Sequence, residues 1–307
     1  MPTLSRRRFL TLSAMAALPL RAQASTIPAE ITQWHGTALG AEAAIYLAHP
    51  DAEAIIARAA VEIARLEKIF SLYSTSSALV QLNTTGKFDA PPFELLECLA
   101  LAAQVHDATR GLFDPTVQPL WQLYADRFSK GVAPSAAEIS TTLQAVGFAR
   151  VRFDSEAVVL AKGMALTLNG IAQGFIADKL TEMLTAEGLT DILINTGEFR
   201  AIGPMPDGRA WPVKLASGGE VNLSARSLAT SSPLGTVFDP NGSIGHILHP
   251  VTGAPAMPRW SSVSISAPSA GLADALSTAA CLMPDRATVE AALSRFTGTK
   301  IEALLPA

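Results

Sequence analysis

The sequence predicts an α+β fold, with a mixed or antiparallel sheet and packed helices in a single large domain. Two observations lead there. Stretches with apolar residues at helical spacing are interleaved with short apolar runs of strand character. Glycine turns part those short runs, and neither a repeat of fixed period nor a low-complexity linker divides the chain. A chain of 307 residues can bury a substantial core.

The first residues are expected to lie outside that fold. Ser5-Arg6-Arg7-Arg8-Phe9-Leu10 is a twin-arginine pattern, followed by the weakly apolar Leu12–Leu20 and a small-residue end, Ala22-Gln23-Ala24. The apolar stretch is too short to span a bilayer. Residues 1–24 therefore read as a twin-arginine signal peptide cut between Ala24 and Ser25, with the mature domain, 25–307, in the periplasm. Its removal takes four arginines and no acids, leaving 19 basic against 27 acidic residues. That balance offers no electrostatic footprint for nucleic acid, and no later run is long and apolar enough for stable membrane insertion. Cys98 and Cys281, far apart in apolar surroundings, are compatible with a disulfide or with two buried thiols.

Along the mature chain, WHGTALGAEAAIYLAHP reads as a glycine turn and a short strand ending at His49-Pro50. Asp51 is placed to cap a helix whose Ile55, Ile56, Ala59, Ile63, Leu66 and Phe70 share one face. SLYSTSSALVQLNTTG follows as a polar loop. A second helix runs from about Phe93 to Thr109, and Gly111 stops it. Residues 113–134, aromatic and proline-marked, suit a loop packed over a cleft. Ser135 opens a short helix to Val146, and VRFDSEAVVL reads as a strand pair. TDILINTGEFRAIG, RAWPVKLA and SLATSSPLG are short strands parted by turns, and GHILHPVTGAP is a loop. SSVSISA is a strand, GLADALSTAACLM a helix, and a last helix covers 286–296.

Chemistry concentrates in a few of these stretches. In LTLNGIAQGFIADKL, Leu166, Leu168 and Ile171 read as strand, and Ile171, Phe175, Ile176 and Leu180 share a helix face. A strand then passes through Asn169-Gly170 straight into a helix N-terminus, whose unpaired N–H groups and dipole suit a phosphate. An ordinary strand-to-helix turn carries the same signature. In GLADALSTAACLM, Asp274, Ser277 and Thr278 project from one helix face. This oxygen-only trio suits a hard cation such as Mg²⁺, or equally a capped and packed helix. Asp114, fixed between Phe113 and Pro115, can bind a ligand amide or ribose or cap its own turn. Tyr73 stands among hydroxyls and can stack on a heterocycle. His246 and His249 share a Pro/Gly loop without a third metal ligand, and one can serve as a general base.

The order of these stretches is more specific than any one of them. Ser71-Leu72-Tyr73, Gly111-Leu112-Phe113-Asp114-Pro115-Thr116 and Leu168-Asn169-Gly170-Ile171-Ala172-Gln173-Gly174 come first. Asn195-Thr196-Gly197-Glu198, Thr230-Ser231-Ser232, His246-Ile247-Leu248-His249-Pro250 and Ala273-Asp274-Ala275-Leu276-Ser277-Thr278-Ala279 follow. In these seven ordered blocks the chain resembles the ApbE family of FAD:protein FMN transferases, over essentially its whole mature length. The resemblance implies a T-fold-like domain and an exported, metal-dependent enzyme. Such an enzyme transfers the FMN moiety of FAD to a threonine hydroxyl of a target flavoprotein and releases AMP. It also implies roles. The Gly170 carbonyl, Asp274 and Thr278, with Ser277, would hold Mg²⁺ against the FAD pyrophosphate. Leu39, Tyr73, Leu112, Phe113 and Asp114 would lie along the flavin and adenosine, with Thr167, Gln173 and Leu248 also at the cofactor. His246 would take the proton of the incoming threonine, with Asp274 the other catalytic residue.

The chain departs from the family pattern at several positions. Where the family usually has Asp-Leu-Gly-Gly-Ile-Ala-Lys-Gly, this chain lacks a carboxylate at Thr167 and a cation at Gln173. The usual Asp before Pro250 is His249, and Gly-Gly-Asp has become Thr196-Gly197-Glu198. The Asn-Gly-Ile-Ala-Gln-Gly variant is similar to a branch that includes the accessory flavoproteins of nitrous oxide respiration. The losses keep two other expectations open: a non-catalytic periplasmic flavin carrier or assembly factor, and an FAD pyrophosphatase with water as the acceptor.

Overall fold

The computed structural model describes residues 30–215, 218–257 and 259–307. The expected signal peptide lies outside them. β1 (Thr32–Ala38) and β2 (Ala41–Leu47) form a hairpin, followed by α1 (Ala52–Phe70), α2 (Ala78–Thr85), β3 (Lys87–Asp89) and α3 (Phe93–Ala108). A 3-10 turn at Pro115–Val117 leads into α4 (Gln118–Ser129), then α5 (Ala136–Leu143), β4 (Arg152–Phe153), β5 (Ala157–Val159) and α6 (Ala172–Ala186). The second half comprises β6 (Ile192–Asn195), β7 (Phe199–Ile202), β8 (Trp211–Lys214), β9 (Glu220–Leu223), β10 (Ser227–Ser231) and β11 (Trp260–Ala267). It closes with α7 (Ala270–Ala280), α8 (Arg286–Leu293) and β12 (Lys300–Pro306).

Seven strands form the main sheet, in the order β1-β2-β6-β7-β10-β11-β12, and every pairing is antiparallel. The period-2 pattern of the strands decides which face each side chain takes. Ile45, Leu47, Ile192, Ile194, Val263 and Ile265 join the core beneath the helices. Ala44, Tyr46, Leu193, Phe199 and Leu228 point the other way and pack with Trp211, Val213 and Leu223 of the β8–β9 hairpin. The sheet is thus covered on both faces, with every residue of α7 except Thr278 buried on the helical side.

Close approach of α6 and α7 sets the centre of the molecule. A Cβ on Gly174 would stand 2.2 Å from the Ala270 carbonyl oxygen, so only glycine fits there. The Asp178 carboxylate, one turn along α6, accepts hydrogen bonds from Ala270 N and Gly271 N, both at 2.8 Å. An α6 side chain therefore satisfies two orphan amides at the N-terminus of α7.

Several expectations need correction. The polar stretch after α1 contains α2, because the Ser77 hydroxyl accepts from Val80 N at 3.1 Å and Gly86 ends the helix at φ 74°. Residues 113–134 hold α4 rather than a loop, since Leu120 and Tyr124 bury one face against Leu248. Leu166 and Leu168 are buried but belong to no ladder. The Asn83 amide takes the place of a partner strand, bonding Leu166 N at 2.7 Å and Leu166 O at 2.8 Å. Asp51 precedes α1 but makes no side-chain cap. Cys98 and Cys281 are both free and buried, with burial pushing their thiols well above the ordinary range. No helix among the described residues is long and apolar enough to cross a membrane.

Candidate active site

The turn that opens α6 lies against α7. Leu168 O accepts from Ile171 N and Ala172 N, at 3.0 and 2.7 Å, which winds the chain into the first helical turn. The next amides divide. Gly174 N donates to Asp274 Oδ2 at 3.3 Å, whereas Gly170 N and Gln173 N meet no acceptor among the described residues. Asp274 thus projects from the middle of α7 onto the N-terminus of α6, where the helix dipole favours negative charge. A Cβ on Gly170 would stand 3.0 Å from Thr278 Oγ1, so the Asn169-Gly170 turn sits directly over Thr278.

The end of β10 completes this cluster. Ser231 Oγ lies 2.7 Å from Ser277 Oγ and 3.3 Å from Thr278 Oγ1. Ser277 is fully buried and also donates to the Asp274 carbonyl at 3.0 Å. Its hydroxyl therefore braces Ser231 and the helix, while Thr278 stays half-buried on the Gly170 side. The fold brings Asp274, Ser277 and Thr278 of α7 together with Gly170 of the turn that precedes α6.

The expected cofactor residues fall into two sets. Gln173 directly precedes Gly174 of the cluster, whereas Thr167 lies two residues before Asn169 and is held elsewhere. Thr167 N donates to Pro115 O at 2.8 Å, and the Gln173 carbonyl accepts from Thr196 Oγ1 at 2.8 Å. The Gln173 side-chain amide lies over Gly197. Asp114, next to that Pro115, is buried and engaged within the chain: it accepts from Thr116 N (2.8 Å), Thr116 Oγ1 (2.5 Å) and Phe148 N (3.0 Å). Phe113 is buried and Leu112 half-buried. Leu39 occupies the β1–β2 turn at φ 50°, its N–H held by Glu67 Oε1 at 2.7 Å. Tyr73 is 65% exposed, and Leu248 is buried in the cluster under α4, away from solvent.

His246 hangs from the loop that leaves β10. Its Nδ1 lies 3.0 Å from the Thr236 carbonyl, an oxygen that can only accept, so in the neutral ring Nε2 carries the lone pair. Burial pushes its pKa below the ordinary value, although the Thr236 and Pro233 carbonyls pull the other way. His249 differs: its Nδ1 accepts from Val251 N at 3.2 Å, which organises the loop.

Glu198 was not among the expected site residues. It is only 8% exposed and accepts from Thr230 N at 3.1 Å. Burial and the nearby Asp274 both raise its pKa well above the carboxylate range. Asp274, 3% exposed, is pushed up to about 8, first by burial, against the pull of the Gly174 amide, with Asp178 adding repulsion. Its place in the Asn195-Thr196-Gly197-Glu198 block, at the end of the apolar Ile192-Leu193-Ile194, was the available signal, because a buried carboxylate needs a compensating partner.

The donor set fits a hard divalent cation. It offers only oxygen: carboxylates, hydroxyls and a turn carbonyl. No lysine or arginine among the described residues forms an ion pair with Asp274 or Glu198, so their charge lacks a protein counterion.

Comparison with known proteins identifies the family of this fold. Residues 32–305 match the ApbE family. The FAD:protein FMN transferase of Haemophilus influenzae is 26% identical over 243 residues, covering 72% of this chain and 70% of that protein. That of Treponema pallidum is 30% identical over 244 residues, covering 69% and 67%. Among solved structures, the ApbE protein of Thermotoga maritima superposes with a TM-score of 0.80 at 26% identity, over 91% of this chain and 97% of that one. The apo flavinyl transferase ApbE of Pseudomonas stutzeri gives 0.76 at 25% identity, over 87% and 88%. Because the match runs from the first strand of the main sheet into the last and the whole fold superposes, this chain belongs to the ApbE family.

Proposed function

We infer that this protein is an FAD:protein FMN transferase, moving the FMN moiety of FAD onto a threonine hydroxyl of a target flavoprotein and releasing AMP. The observation that carries the reading is the junction of α6 and α7, where Asp274 meets a helix N-terminus beside Thr278 and Gly170. A pyrophosphate needs positive potential and positioning more than a covalent nucleophile. The free amides of Gly170 and Gln173 and the dipole of α6 provide part of that potential.

Asp274, Thr278 and the Gly170 carbonyl would hold Mg²⁺, with Ser277 supporting from behind. When bound, the cation supplies charge neutralisation at the pyrophosphate. His246 Nε2 accepts the proton of the acceptor hydroxyl as its oxygen bonds to the FMN phosphorus, and the bond from that phosphorus to the AMP oxygen breaks. Leu39, Tyr73 and Leu112 would border the flavin. Export by the twin-arginine route to the periplasm belongs to the same reading, and replacing Arg6 and Arg7 with lysine should leave precursor in the cytoplasm.

The test is incubation of the purified mature protein with FAD, Mg²⁺ and a candidate acceptor domain, read by intact mass. The acceptor should gain one FMN moiety, and EDTA or Asp274→Ala should abolish the gain. Labelling that survives either treatment overturns the metal-dependent reading. FAD binding without labelling of any acceptor favours the carrier.

A further inference from the structure

Two buried carboxylates converge on the site, and the protein offers neither one a cation. Each has one oxygen fixed by a backbone amide: Glu198 Oε2 by Thr230 N, and Asp274 Oδ2 by Gly174 N. The other oxygen of each accepts no hydrogen bond from the described residues. Glu198 is also tied into the site from both sides. Through Thr230 it adjoins Ser231, which touches Ser277 and Thr278. On the other side lie Gly197, beneath the Gln173 side chain, and Thr196, bonded to the Gln173 carbonyl. Gln173 is neutral, so the residue closest to this turn leaves the Glu198 charge uncompensated.

We propose that Glu198 is a second acidic group facing the divalent cation beside Asp274, and that this pair loads the cation before the flavin arrives. The proposal rests on the metal site in the reading above and extends it to a residue and an order of binding. A lone carboxylate with neutral oxygens binds a divalent cation weakly, whereas affinity rises with the number of acidic groups. Two neighbouring buried carboxylates are costly to ionise together, and a divalent cation offsets that cost, which gives the flavin-free protein its own reason to take one up.

The experiment uses the flavin-free mature protein and Mn²⁺ alone, with free Mn²⁺ followed by electron paramagnetic resonance. Wild type should bind Mn²⁺, and Glu198→Gln should weaken that binding by roughly tenfold or more. The glutamine oxygen can still accept from Thr230 N, and the lost repulsion should leave the melting temperature in EDTA equal or higher. A merely structural Glu198 gives the opposite pattern: unchanged Mn²⁺ affinity and a lower melting temperature. Either unchanged affinity in Glu198→Gln or no Mn²⁺ uptake by flavin-free wild type overturns the proposal. Should Glu198→Gln fail to fold, infrared difference spectra of wild type labelled with ¹³C-carboxyl glutamate decide. A glutamate band that shifts on Mg²⁺ addition supports the proposal, and none overturns it. These readouts need no acceptor protein, so loss of the transferase reading through absent labelling would be distinguishable from loss of this one.

Discussion

Gly174→Ala tests whether α6 and α7 lock together as the site requires. The added methyl would lie 2.2 Å from the Ala270 oxygen, 2.4 Å from its carbonyl carbon and 2.6 Å from Gly271 N. A carbon and an oxygen need about 3.3 Å, so the two helices must separate by about 1 Å. All three obstructing atoms are backbone, which leaves no side chain to swing aside. Separation stretches the two hydrogen bonds from Ala270 N and Gly271 N to Asp178, and the one from Gly174 N to Asp274. Overpacking of this kind costs roughly 1–3 kcal/mol, and weakening hydrogen bonds to charged groups adds about 1.5–3 kcal/mol. The expected loss is therefore about 2.5–6 kcal/mol, a large share of a domain's usual stability. Gly271→Ala, whose methyl would meet Leu101 Cδ2 at 3.1 Å and Phe175 N at 3.3 Å, should cost less because Leu101 can move. Urea unfolding at fixed pH measures both. A Gly174→Ala midpoint equal to wild type, or a larger loss in Gly271→Ala, would refute the packing argument and the placement of Asp274 built on it.

Further expectations follow from the same geometry. His246→Ala should slow transfer by about 10²–10⁴-fold while leaving FAD binding largely unchanged in titrations. Because burial lowers its pKa, the acid limb of the rate profile should fall below pH 6.5, where protonation removes the Nε2 lone pair. The metal-free protein should lose stability as pH rises from about 4 towards about 8. Asp274 is bound more tightly to its proton when folded than when unfolded, so its contribution is complete below the unfolded pKa and gone above the folded one. Asp274→Asn should lessen that slope in thermal melts, leaving the share that Glu198 and Asp178 contribute with the same sign, and saturating Mg²⁺ should flatten it. Asp114→Ala should destabilise by about 2–4 kcal/mol, since three buried donors lose their acceptor. A stable Asp114→Ala protein that has lost only FAD affinity would instead mark a ligand-facing carboxylate.

The contrast between legible and illegible parts has a physical basis. The apolar face of α1, the stop at Gly111 and the strand character of β11 depend on local periodicity and local backbone freedom, which the sequence states directly. Short α2 carries no sustained pattern, and its ends are set by one serine cap and one left-handed glycine. The stretch at Leu166–Leu168 has the composition of a strand, yet its backbone is satisfied by Asn83, which lies 83 residues away from Leu166. The same division runs through the site. Asp274, Ser277 and Thr278 share a helix and were readable as a group. Glu198 and Ser231 reach that group only through the pairing of β7 with β10 and the packing of α7 on β10, and no spacing in the chain encodes either. The exchange of cation for Gln173 is plain in sequence, but its consequence, two buried carboxylates without a counterion, needed the fold.

The most direct test of the central claim is the ratio of AMP released to acceptor labelled. Purified mature protein, FAD, Mg²⁺ and the acceptor domain are mixed, AMP is quantified by chromatography, and labelled acceptor is counted by intact mass. Transfer predicts one AMP per FMN-bearing acceptor throughout the time course, with both lost when the acceptor threonine is replaced by alanine. AMP accumulating with free FMN while the acceptor mass stays unchanged would contradict the account and identify a pyrophosphatase.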